Sequence, residues 1–143
     1  MRVGLGVQQL YNLRQPTKHL DTLPINDLVD QLSEVFRDFK PEEVLVPHRG
    51  DVHTDHRITF DAVAACTKWF RYRSVRRLMA YETLSETEFG LDPQSIFHPN
   101  VFVDISATMK RKLELLRIYQ SELSEFPFPR SEKALLALAQ FRG

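Results

Sequence analysis

Apolar residues recur with helical spacing through one early stretch: Ile25, Leu28, Leu32, Val35 and Phe39 are separated by Asp, Glu and other polar positions. Residues three and four apart share one face of a helix, so this stretch predicts an amphipathic helix. Asn26 or Thr22 is placed to cap its start, and Pro41 follows its end. Residues 44–46, closed by Pro47, predict a short buried strand. A second helix is expected over about residues 55–72, with Phe60, Val63, Thr67 and Phe70 on one face. "SVRRLMAYET" predicts a strand, and "LSETEFGLDPQSIFHPN" a long loop by its Ser, Gly, Asp and Pro content. "VFVDIS" predicts a further strand. A third helix is expected over about residues 107–121, with Met109, Leu113, Leu116 and Tyr119 as its buried stripe. Two prolines exclude helix from "EFPFPRS", after which Ser131 caps a last helix, "SEKALLALAQF". Helices alternating with strands indicate an α/β layer fold with a largely parallel sheet. Ligand sites in such sheets gather beyond the carboxyl ends of the strands. The segment after residue 46 is therefore the first place to look for chemistry.

Composition narrows the choice. The chain has 143 residues, the size of one domain, enough to bury roughly two thirds of its unfolded surface. Acidic and basic residues balance at 19 each, which argues against nucleic acid or an anionic membrane as the main partner. No apolar run approaches the ~20 residues of a membrane span. The first twenty residues lack the apolar stretch and cleavage site of a signal peptide. Cys66 is the single cysteine, so no internal disulfide forms, which fits a reducing, cytoplasmic setting. Its place in an amphipathic helix makes it a packed small side chain. The basic run "RYRSVRR" reads as a solvated helix end leading into a strand.

The segment after residue 46 reads "VPHRGDVHTDHRITF" and holds His48, His53 and His56, three of the five histidines. His53 and His56 are three apart at a helix start and can face the same side. A neutral imidazole is the commonest metal ligand, and a nearby carboxylate commonly orients it. Asp51 and Asp55 flank the pair. The plainer alternative is that Asp51 or Asp55 only caps the helix, with the histidines solvated beside it. His48, directly after Pro47, marks the strand end, and His19 and His98 stand alone in loop sequence.

"GDVHTDHR" after a hydrophobic strand, followed in order by "YETLSET", "FHPNVFVDIS", "YQSEL" and "PFPRS" leading to "LAQFRG", resembles the PIG-L/LmbE-type deacetylases over about residue 20 to the last residue. The resemblance implies a Rossmann-like three-layer fold and a metal-dependent hydrolase that removes acetyl groups from N-acetylglucosamine-type sugars. It implies that His56 is a zinc ligand and that His53 polarises the amide carbonyl and stabilises the oxyanion. Asp55 is then the carboxylate that orients His53, and Asp51 a loop position facing the substrate. In that chemistry zinc activates a water, a carboxylate takes its proton, and a histidine assists the tetrahedral intermediate.

The sequence departs from the family at one point. The A-H-P-D-D-E-type turn, which supplies the family's other ligands and general base, occurs nowhere in these residues. The expectation is a single partial, N-terminally incomplete domain over 1–143 that is inactive alone. The chain is then a fragment or a mis-started reading frame of a full enzyme, or a partner polypeptide supplies the missing half; a homo-oligomer is the other assembly expected. The alternative is a non-catalytic sugar-binding or assembly module with a degenerate site. A His-dependent phosphohydrolase is disfavoured by the lack of a Gly-rich phosphate loop.

Overall fold

A computed structural model of the protein describes residues 6–143. The chain divides into two compact units, Tyr11–Phe97 and a second unit that includes His98–Gly143.

The first unit opens with helix α1 (Ile25–Phe39). Its apolar stripe turns Leu28 and Phe36 inward. Neither predicted cap is used. Pro24 occupies the N-cap position without a side-chain bond, which puts Asn26 inside the first turn. Thr22 instead donates its hydroxyl to the His19 carbonyl at 2.7 Å, within a 3-10 turn over Leu20–Thr22. Lys40 ends α1 in the left-handed conformation, its N–H reaching the Phe36 carbonyl.

Strand β1 (Glu43–Pro47) follows, then helix α2 (Thr54–Ala65) and strand β2 (Arg77–Tyr81). The two strands pair in parallel, from Glu43 opposite Arg77 to Pro47 opposite Tyr81. Parallel neighbours need a crossover connection, and α2 lies within it. Glu43 and Arg77, opposite each other in register, also form an ion pair. This mixed helix–strand order with a parallel sheet is the expected α/β, Rossmann-like arrangement.

The core is the cluster of Phe36, Val46, Val63 and Cys66, with Val29, Leu32, Phe60, Tyr72 and Leu78 packed around it. Cys66 is fully buried between the Ser33 hydroxyl at 3.6 Å and the Val29 carbonyl at 3.7 Å. α2 ends well before the expected residue 72. The Thr67 hydroxyl donates to the Ala64 carbonyl at 2.8 Å, and such a bond competes with helix continuation. Phe70, predicted on the buried face, therefore lies beyond the helix and is 56% exposed.

The second unit holds helices α3 (Met109–Leu116) and α4 (Glu132–Arg142). Ser131 caps α4 as predicted, its Oγ accepting the Ala134 N–H at 3.1 Å. Arg117 grips Glu132 through two bonds of 2.5 and 2.7 Å, which hold the Glu132 carboxyl below its ordinary range. The predicted strand in "VFVDIS" is corrected: residues 101–105 have no regular secondary structure, and Val101, Phe102 and Val103 are exposed. Alternation favours an extended chain, but a strand also requires a partner, and these residues pair with none among those described.

Candidate functional site

The site lies just beyond the carboxyl end of β1. There the chain makes a tight turn over residues 48–52 before α2 begins. Asp51 N–H donates back to the His48 carbonyl at 3.2 Å, and His48 N–H continues the ladder to the Tyr81 carbonyl at the end of β2. The His48 ring bonds through Nε2 to the Ser95 carbonyl at 2.7 Å and packs edge-on against Phe97. His48 thus has the structural place read from its position after Pro47.

The loop after β2 folds onto this turn. Val52 N–H donates to the Glu86 carbonyl at 3.1 Å, and the Thr87 hydroxyl donates to Asp51 Oδ1 at 2.7 Å. The approach is close enough to demand glycine. A Cβ on Gly50 would overlap the Ser95 carbonyl and stand 2.6 Å from His48 Nε2, and one on Gly90 would overlap the Gly50 carbonyl. Gly50→Ala should therefore destabilise the protein by about 1–3 kcal/mol, the usual cost of overpacking. Urea unfolding checks this, and an unchanged midpoint would mean that the turn at Ser95 moves aside freely.

His53 sits at the N-cap of α2. Its Nδ1 accepts the Asp55 backbone N–H at 3.2 Å, so the histidine itself caps the helix in place of Asp51 or Asp55. A backbone N–H only donates, so Nδ1 carries no proton and the neutral ring bears its hydrogen on Nε2. His56, one turn on, has Nδ1 at 2.7 Å from Asp51 Oδ2. A carboxylate only accepts, so here Nδ1 carries a proton, and in the neutral ring Nε2 keeps its lone pair. The two rings stack, with centroids 4.9 Å apart and planes within 15°. As neutral rings the adjacent imidazoles are thus held in opposite tautomers, one presenting a donor at Nε2 and the other an acceptor.

The aspartates have different partners from those the resemblance implies. The Asp55 carboxylate accepts the backbone N–H groups of Lys18 at 2.6 Å and Leu20 at 3.2 Å, tying the 18–20 segment to α2. Its contact with His53 runs through its main chain. The Asp51 side chain is fully buried, and both its oxygens are bonded, to Thr87 and to His56. In this arrangement neither oxygen is open to solvent. Tyr81, at the end of β2, has its hydroxyl pKa raised by burial and then by the negative charge of Asp51. Arg49 makes a two-point bond with Asp61 at 2.7 and 3.3 Å on the outer side of the turn.

Nothing local in the sequence marks Thr87 or Tyr81 as part of the site. Thr87 lies 36 residues from the aspartate it serves, and "YETLSET" carries no local sign of that contact.

Zinc in catalytic sites takes about three protein ligands. His56 offers one free imidazole lone pair, and no group of three or more His, Cys, Asp or Glu side chains is placed to hold a metal among the described residues. The described residues fit one corner of a zinc centre and not the whole of it, so no reaction step is drawn through a metal.

The fold and the turn define a class: an α/β chain with an H-x-D-H segment at the carboxyl end of a parallel strand. Residues 2–67 match the family model PIG-L, GlcNAc-PI de-N-acetylase, so over that span the chain is similar to this family. Asp51, His53, Asp55 and His56 all lie within the match. It begins earlier than the residue-20 limit read from the sequence and stops before "YETLSET". No solved structure matches the chain significantly. No helix among the described residues is long and apolar enough to cross a membrane.

Proposed function

We propose that the turn after β1 is the carbonyl-polarising half of a metal-dependent hydrolase that removes an acetyl group from an N-acetylglucosamine-type amino sugar. The observation that carries this reading is the pair of opposite tautomers. De-N-acetylation adds water across an amide and releases acetate and an amine. It needs a hydrogen-bond donor where the carbonyl oxygen becomes an oxyanion. His53 Nε2–H is such a donor. It also needs a site for the cation, and His56 Nε2 is a lone pair suited to one ligand position. Two identical tautomers would serve only one of these needs.

Zinc is the metal of this proposal, and its remaining ligands come from outside the described residues, on a longer form of the chain or on a partner polypeptide. The 143-residue chain alone is then inactive. The test is acetate release from N-acetylglucosamine derivatives with added zinc. The chain alone should give none, and a form carrying an H-P-D-D-type segment should give turnover. Turnover by the chain alone, abolished by His56→Ala, would show that its own residues complete the site. The lone ligand position also favours a second reading, a sugar-binding module without catalysis. Saturable sugar binding by every form, with hydrolysis by none, would select it.

A further inference from the structure

Asp51 and three groups around it form a hydrogen-bonded chain whose direction is fixed at both ends. Thr83 N–H donates to the Thr87 hydroxyl oxygen at 2.7 Å. That hydroxyl, with its oxygen engaged, gives its own hydrogen to Asp51 Oδ1 at 2.7 Å. The other carboxylate oxygen accepts from His56 Nδ1 at 2.7 Å. An amide N–H cannot accept and a carboxylate cannot donate, so no member can reverse its role. The Asp51 side chain is fully buried, whereas the His56 side chain remains 24% exposed. The aspartate is shut off from solvent, while part of the His56 side chain is open to it.

We propose that Asp51, anchored by Thr87, is a positioning residue for His56: it fixes the neutral ring with its hydrogen on Nδ1 and its lone pair on Nε2. The loop after β2 is thereby part of the ligand-binding unit, because the group that aims the aspartate is carried on it. The ligand class for Nε2 is an electron-pair acceptor, a divalent cation above all. This identification of the ligand rests on the proposed hydrolase reading, whereas the tautomer does not.

A hydrogen bond to a charged group favours the bonded form by roughly tenfold or more. The test is nitrogen NMR of the His56 ring in the full 143-residue chain without metal, at about pH 8.5, where an ordinary imidazole is neutral. The wild type should show a proton-bearing Nδ1 and a bare Nε2. Asp51→Ala should lower that preference about tenfold, leaving a mixture. Asp51→Asn, whose amide oxygen keeps the Thr87 bond, turns an N–H donor toward His56 Nδ1 and should shift the ring toward the Nε2–H tautomer. A wild-type His56 with its hydrogen on Nε2 overturns the proposal whatever the variants do. So does a folded Asp51→Ala with the wild-type tautomer. If the wild type shows the expected tautomer but every longer form fails to bind zinc, the positioning role stands and the hydrolase reading falls.

Discussion

His53→Ala and His56→Ala should fail in different ways in an active form of the protein. His56→Ala should lose metal, with turnover falling in step with occupancy. His53→Ala should keep its metal and lose about 2.7–4 kcal/mol of transition-state stabilisation, as when one oxyanion donor is removed. The reason lies in the two tautomers. His56 Nδ1 faces the Asp51 carboxylate and His53 Nδ1 accepts a backbone N–H, so in the neutral rings the two Nε2 atoms differ and the roles cannot be exchanged. Asp55→Asn should be milder than His53→Ala, because the backbone N–H that holds the His53 ring survives the change. What it weakens is the grip on Lys18 and Leu20. Metal content by elemental analysis beside turnover settles each variant. Metal loss in His53→Ala with full retention in His56→Ala would reverse the assignment.

Phe36→Ala should cost about 3–5 kcal/mol, the usual cost of removing a buried aromatic ring. Phe36 is 6% exposed, joins the Val46, Val63 and Cys66 cluster, and meets the Tyr72 ring edge-on at 5.6 Å. It couples α1 to the strand that delivers the His-rich turn. Phe39, one turn on and 54% exposed, is the control, and Phe39→Ala should cost less than about 1 kcal/mol. Urea titrations of both variants measure the difference. Equal losses would mean that the α1 stripe is not packed as described.

The contrast between those two positions also marks what the sequence could convey. The spacing of Leu28, Leu32 and Phe39 located α1, because a helix repeats its face within a few residues. The same spacing included Phe39, which is exposed, because periodicity identifies a face without saying where the neighbouring element ends. β1 and the turn were legible from a short apolar run followed by ligand-type residues. The partners of the turn were not. Thr87 to Asp51, Ser95 to His48 and Lys18 to Asp55 all close over long stretches of chain, and none repeats a local pattern. The cap of α2 was missed for another reason. Cap preferences favour Ser, Thr, Asp and Asn, and here an imidazole nitrogen takes that place.

The lone thiol of Cys66 carries a practical consequence. It is the only cysteine of the chain and is fully shielded within the cluster that holds α1, α2 and β1 together. A small alkylating reagent reaches it only when that cluster parts, so the rate of labelling is a clock for core opening. The clock is native to the sequence and needs no inserted probe. Mass spectrometry reads it as a single added group, in the presence or absence of any metal or sugar. A ligand that stabilises the turn after β1 slows the clock in proportion to its hold on the folded state.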